Sequence, residues 1–383
     1  MTPPDFEALA VALLPELRER AREIEATRYL PPDLAQQLAQ AGFMRMALPH
    51  EYAGYECAVP TFLRVVETLA TADASTAWCV FIHVTSTLPV SGLQPDAARE
   101  IAGDPMAILS GVFAPRGQAV PDGDTYVVRG RWAWGSGIKN ASWVSGGCLL
   151  MRDGAPVTDA NGAPTRLTVF VPIERVQILD TWEVSGLCGT GSNDFAIEDY
   201  RAPQAHIAAA PIATFAQRPL YRFPRFGLLS SPIAAICLGI ARGAITELVS
   251  LAASKVPDGS RRALANRPTT QIAVAQAEAE LRSARAYFYE SIETAARKAH
   301  ESEPTADQRL HIRLATTHAV KTSAKIVSAT YETAGGPALY ARSPLQRAFR
   351  DVHAATQHMM VSSATLELTG RMLVGLPTDI SGL

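Results

Sequence analysis

Cysteine is scarce in this chain. Its five cysteines (Cys57, Cys79, Cys148, Cys188 and Cys237) are scattered through 383 residues, odd in number, and free of any CxxC or Cys/His ligand spacing. That excludes a disulfide framework and a structural zinc site, and it predicts reduced, mostly buried thiols in a cytoplasmic protein with no metal. An excess of one charge is missing too. Lys and Arg total 35 against 37 Asp and Glu, a formal net charge of -2, with no basic stripe, so nucleic acid is not an expected partner. Long apolar runs are lacking. The longest clean one, Ile233 to Ala241, is far short of the ~20 residues that span a membrane, and no membrane association is expected. The opening MTPPDFEALA does not have the charged-then-apolar pattern of a signal peptide. Internal repeats and low-complexity tracts are absent.

What is present is ample core material, 48% hydrophobic, arranged in three textures. Residues 1–106 carry a helical period: Leu9, Leu13, Leu14, Leu17 and Ile24, then Leu34, Leu38 and Phe43, punctuated by Pro31, Pro32 and Pro49. The run Ala74 to Leu88 is apolar enough for a buried helix. Residues 107–215 contain short β-branched and aromatic runs around Tyr126, Val128, Trp132 and Trp134, Leu167 to Val171, and Phe195 to Ile197. Turn signals at Pro121-Asp122-Gly123-Asp124 and Asn161-Gly162 separate them, predicting a small β-barrel. Residues 216–383 return to long helical stretches: Ile233–Ser254, Gln271–Ala299, Arg309–Glu332 and Ser343–Leu373, which predict an antiparallel four-helix bundle. The expected class is α+β, mostly α: an N-terminal helical domain, a central β-barrel and a C-terminal four-helix bundle.

Five segments sharpen this order. They are AGFMRMALPHEYAGYE (41–56), ADASTAW (72–78), GRWAWGSGIKNASW (130–143), WEVSGLCGTGSND (182–194) and ETAGGPALYARSPLQRAFRDVHAATQH (332–358). Together they resemble the acyl-CoA dehydrogenase superfamily, and the last resembles its branch of two-component flavin monooxygenases. That branch holds 4-hydroxyphenylacetate hydroxylase, the dibenzothiophene monooxygenase and the nitrososynthases. The resemblance covers nearly the whole chain. It implies an oxygenase component that takes reduced FAD, with FMNH2 as the alternative, from a separate NAD(P)H-dependent flavin reductase. It further implies hydroxylation of a small aromatic or heteroaromatic substrate, phenolic or indolic, with O2 through a C4a-hydroperoxide. An FAD-dependent acyl-CoA dehydrogenase-like oxidoreductase and an amine N-oxygenase are the alternative readings. A homotetramer is expected, or failing that a dimer.

The residues have chemistry of their own. Trp132 and Trp134, two apart on a strand, should point to one face, and Gly135 and Gly137 let backbone approach a flat ring. Ser136 can offer a hydroxyl to the redox-active ring nitrogen, and the resemblance implies that it does. The glycine-rich run Gly186 to Ser192 suits phosphate or flavin edge atoms or a tight turn, and its resemblance to the family's GxxGTGS segment implies that Thr190, Gly191 and Ser192 contact the cofactor alongside Trp134, Ser136 and Gly137. Gly335-Gly336 breaks two helices; in the superfamily a similar pair approaches the adenosine of a neighbouring subunit's FAD. Acyl-CoA dehydrogenases carry a glutamate base after the pair matching Arg350-Asp351. Here Ala354, Ala355, Thr356, Gln357, His358 and Met359 follow, with no carboxylate until Glu367, although Glu247 stands on the first bundle helix. A lone histidine on an apolar helix is usually structural, but the resemblance to the monooxygenases implies that His358 is the catalytic residue, able to take a phenolic or indolic proton or to donate a hydrogen bond. Several relatives have a second histidine where this chain has Ser86, and His83, one helical turn earlier, is the candidate substitute.

Overall fold

Caps and prolines set the boundaries of the N-terminal helices. The computed structural model describes residues 3–160, 162–208, 210–257 and 259–383, so Asn161 of the expected turn lies outside the described residues. Helix α1 (Phe6–Thr27) starts where the Asp5 side chain accepts from the Ala8 N–H at 3.0 Å, and it stops at Arg28, whose φ is 60°. Helices α2 (Pro32–Gln40), α3 (Val59–Ala70), α4 (Ala74–Ser86) and α5 (Pro95–Ala102) follow, α2 and α5 opening on proline and α3 carrying Pro60 as its second residue. Helix α4 is capped by the buried Asp73 side chain, which accepts from the Thr76 N–H and hydroxyl at 2.7 and 2.8 Å. The segment 41–56 is a structural knot. The Arg45 guanidinium, sealed from water, donates to the carbonyls of Tyr52, Ala53, Ala102 and Asp104.

Eight strands follow: β1 (Leu109–Asp122), β2 (Thr125–Gly135), β3 (Trp143–Arg152), β4 (Ala155–Pro156), β5 (Arg166–Pro172), β6 (Gln177–Leu179), β7 (Asn193–Pro203) and β8 (Ile207–Ala208). Their order is β6-β7-β2-β1-β3-β5-β8, with β4 on β3. All neighbours are antiparallel except β1 and β3. The sheet curls around a core of Trp132, Val144, Val169 and Phe195.

One expectation fails here. Trp132 and Trp134 do not share a face. The β2–β7 register slips between Trp132 and Gly135, and Trp134 takes a left-handed φ of 68°. A bulge of one residue reverses side-chain alternation. Trp132 is therefore fully buried, stacked on Phe195 at 5.1 Å with its Nε1–H on the Gly147 carbonyl, whereas Trp134 is 68% exposed. Trp132→Ala is expected to lower stability by about 3–5 kcal/mol, and Trp134→Ala to change it by less than about 0.5 kcal/mol. Urea denaturation of the two variants checks this, and equal losses contradict it.

Two short helices, α6 (Ala213–Ala216) and α7 (Pro219–Arg222), lead into the bundle of α8 (Arg225–Ser254), α9 (Pro268–Ala299) and α10 (Ala306–Ala334). Helix α8 is long and apolar enough to cross a membrane, but 89% of its apolar window is buried inside this fold. Ser230, Ser231 and Arg242 interrupt it, which is why its clean apolar run is short. The fourth expected helix is broken. It runs as α11 (Pro344–Thr356), a 3₁₀ turn over Met359–Val361, and α12 (Ser363–Leu373). The break falls at His358, whose extended ψ of 128° lets its ring cap the turn.

Candidate active site

The glycine-rich segment 182–192 reaches the bundle through a carboxylate. The Leu187 N–H donates to Asp351 Oδ1 at 2.6 Å, and the Arg350 side chain donates to the Ser185 carbonyl at 2.6 Å. Gly186 has to be glycine, because a Cβ there would lie 2.2 Å from the Arg350 carbonyl oxygen. Burial pushes the Asp351 carboxyl up to about 7. At the other end Asn193 Oδ1 accepts from the N–H groups of Thr181 and Trp182, each at 3.1 Å.

Some backbone N–H groups at this turn are spent within it. Those of Gly137, Thr190, Gly191 and Asn193 donate to Thr190, Leu187, Cys188 and Gly191 carbonyls. The same turn carries a chain of hydroxyls. Ser136 Oγ lies 2.6 Å from Ser192 Oγ, which lies 2.7 Å from Thr190 Oγ1, which donates to the Leu187 carbonyl at 2.8 Å. Each hydroxyl has one proton, so the last bond fixes the direction of the chain. Thr190 has none left, Ser192 donates to Thr190, and Ser136 donates to Ser192. The remaining lone pairs of Ser136 make it an acceptor.

His83 lies beneath this turn. It is fully buried; Nδ1 donates to the Leu109 carbonyl at 2.9 Å, and Nε2 has no hydrogen-bond partner. Gly137, at φ +69°, packs on the imidazole so closely that a Cβ would lie 2.5 Å from Nε2. Burial pulls the His83 pKa down to about 4, so it is neutral. The structure places it as a floor under Gly137 and does not bring it against His358.

His358 faces Trp78 of α4, ring centroids 6.0 Å apart. Its Nδ1 accepts from the Met360 N–H at 3.3 Å, which assigns the proton of the neutral ring to Nε2. Burial first, and the charge of Arg313 second, pull its pKa down to about 4. A neutral ring with its proton on Nε2 is a donor there, and this arrangement does not favour proton removal by His358. Glu247, the other carboxylate considered, stands ~24 Å along α8 from Ser231, at the far end of the bundle. Gly335, at φ +63°, and Gly336 form the exposed link after α10. Beside the first turns of α8 lies an apolar cavity of about 230 Å³ walled by Leu88, Phe113, Tyr221, Phe223 and Leu229. The sequence marks Asp351 only as half of the Arg350-Asp351 pair, not as the anchor of the Leu187 N–H, and it does not single out Arg313. Arg313 follows Leu310 and precedes Thr317 and Val320 on the buried stripe of α10, a signal the sequence does carry.

The acyl-CoA dehydrogenase N-terminal domain family matches residues 11–93, and the acyl-CoA dehydrogenase C-terminal domain family matches residues 231–363. Indole-3-acetate monooxygenase of Pseudomonas putida is 32% identical over 377 residues, covering 97% of this chain and 94% of that protein. The chain belongs to the flavin-dependent monooxygenases of the acyl-CoA dehydrogenase superfamily. The oxygenase subunit HsaA of the Rhodococcus jostii flavin-dependent monooxygenase is 31% identical, covering 91% of this chain and 92% of that one. The crystal structure of the HsaA monooxygenase from M. tuberculosis superposes with a TM-score of 0.89 at 26% identity, covering 99% of both chains.

This monooxygenase is an oxygenase component that depends on flavin. Its residues fit the ring: an exposed indole at Trp134, an acceptor at Ser136, and side-chain-free backbone at Gly137.

Proposed function

We propose that this monooxygenase inserts one oxygen atom of O2 into a small aromatic or heteroaromatic ring, phenolic or indolic. The second oxygen atom leaves as water. The two electrons come from reduced flavin, FADH2 in preference to FMNH2, delivered by a separate NAD(P)H-dependent reductase in the cytoplasm. The observation that carries this reading is the neutral, donor-oriented His358 at the point where a dehydrogenase needs a carboxylate base, with the next carboxylate only at Glu367. Bound flavin supplies the electrons and activates O2. The chain's own residues do the rest. Trp134 covers a ring face, and Gly137 and Gly191 admit the ring edge. Ser136 accepts from the reduced ring's N–H, with Ser192 and Thr190 holding the Ser136 proton away. His83 positions Gly137 from below. His358 donates from Nε2 to the oxygen being transferred or to a substrate oxygen. Thr190 and Ser192 complete the cofactor edge, and Gly335 and Gly336 face the adenosine of a neighbouring subunit.

Exposed Leu339, Tyr340, Met359, Leu373 and Val374, spread along the bundle, support a homotetramer. A monomer at micromolar concentration in light scattering contradicts it.

The function is tested by supplying FADH2 or FMNH2 with O2 to a panel of phenols and indoles and following substrate loss against hydrogen peroxide. Ser136→Ala is expected to weaken reduced-flavin binding by about 0.5–1.5 kcal/mol and to raise peroxide release, since one hydrogen bond at the ring edge is lost. Unchanged affinity and unchanged peroxide reduce Ser136 to a turn residue.

A further inference from the structure

Two arginines of this chain are nearly sealed from water, Arg45 at 4% exposure and Arg313 at 5%. Arg45 is fully served by backbone carbonyls. Arg313 is not. Its Nε and Nη1 have no hydrogen-bond partner, and it forms no ion pair among the described residues. A buried cation without partners is strongly unfavourable, so its position calls for an anion from outside the chain.

The packing around Arg313 locates that anion. Helices α8 and α10 run parallel: a Cβ on Gly227 would lie 3.4 Å from Ile312 Cγ2 near their starts, and the Lys255 Nζ donates to the Ala334 carbonyl near their ends. One turn past the Gly227–Ile312 contact come Ser230 and Ser231 of α8 and Thr316 of α10. All three are fully buried, and none of their hydroxyls is bonded. The charge of Arg313 acts on His358. A guanidinium and three hydroxyls, all without acceptors, therefore lie within about one helical turn of one another near the starts of α8 and α10, close to the residue proposed to face the substrate.

We propose that Arg313, with Ser230, Ser231 and Thr316, seats the carboxylate of the substrate, so that the ring this monooxygenase oxygenates belongs to an arylacetate-type monoanion. The inference rests on the reading under Proposed function. One positive charge matches a monoanion. A guanidinium matches a flat carboxylate better than it matches a neutral amide, and the hydroxyls can satisfy the remaining lone pairs. The aromatic part of such a molecule is left to Trp78 and His358.

Calorimetry on the whole chain, with and without FAD, tests this by comparing indole-3-acetate with indole-3-acetamide and 4-hydroxyphenylacetate with its amide. One acid of the two pairs is expected to bind more tightly than its amide by on the order of 10–100-fold. Arg313→Gln should abolish that preference by weakening the acid alone, leaving the amide within about threefold of the parent. Acetate and inorganic phosphate should bind far more weakly than the aromatic acid. Arg313→Met should raise the melting temperature of the ligand-free protein, because an uncompensated charge is removed. Equal binding of acid and amide to the parent overturns the proposal, as does equal weakening of both by Arg313→Gln, equally tight binding of acetate, or a lowered melting temperature for Arg313→Met. Acid-selective binding without oxygenation of either ring upholds the seat and sinks the functional reading. Oxygenation of neutral rings with no preference for the acid does the reverse.

Discussion

His358→Ala is expected to fold, to bind reduced flavin, and to lose product formation by roughly 10²–10⁴-fold, the span of a positioned proton donor or acceptor. The oxygen missing from product should be recovered as hydrogen peroxide. The geometry explains the split. Ring contacts are assigned to Ser136, Gly137 and Trp134 on β2 and its turn, while His358 belongs to the bundle and caps Met359–Val361. Its Nδ1 is engaged by the Met360 N–H, so the neutral ring offers Nε2–H. With a pKa lowered to about 4, the donor form persists through the ordinary working range, and the rate on folded protein should show no His358 ionisation near 6.5. Stability carries the opposite signature. The unfolded chain takes up this proton first as pH falls below about 6.5, so the contribution of His358 declines from there and is lost as pH passes its folded value of about 4. A variant with an unchanged ratio of product to peroxide removes His358 from the chemistry. A profile with a clear break near 6.5 contradicts the donor assignment.

Gly137→Ala is expected to cost roughly 2–4 kcal/mol in stability or reduced-flavin affinity, combining a left-handed φ penalty with steric overlap. The overlap is with His83, and His83 cannot yield: its Nδ1 is held by the Leu109 carbonyl and its ring is fully buried. The turn must move instead, carrying Ser136 away from Ser192. His83→Ala in the same chain should recover the overlap and leave only the backbone penalty, so the two substitutions together should cost less than their sum. Flavin titration and denaturant unfolding of the two single variants and the double variant measure this. Strict additivity contradicts the account of His83 as the floor of the turn.

These two positions also show what could be read from the chain alone. The glycine, the serine and the histidine were visible as residue types in a family pattern, and the change of texture near residue 107 followed from β-branched and aromatic runs. Local conformation was less legible. Nothing in Trp132-Ala133-Trp134 reveals the bulge that sends one indole into the core and the other to solvent, because a register slip depends on the pairing of β2 with β7. The helical period of residues 343–373 continues across His358, and only the packing of the turn against α8 and α10 shows why the helix is interrupted there. The glycine-rich run suits a cofactor edge, yet the direction of its hydroxyl chain, Ser136 to Ser192 to Thr190, depends on where the folded turn puts the Leu187 carbonyl. Arg313 was legible in principle, as a charged residue on an apolar stripe. That its guanidinium lacks partners depends on which residues α8 brings opposite.

Isotopically labelled O2 tests the central claim most directly. The purified chain is mixed with chemically reduced FAD, a phenolic or indolic substrate and labelled dioxygen, and in a parallel reaction with oxidised FAD and an acyl-CoA under anaerobic conditions. The account predicts one labelled oxygen atom in the aromatic product and no flavin reduction by the acyl-CoA. Unlabelled product, or bleaching of oxidised flavin by the acyl-CoA, contradicts it.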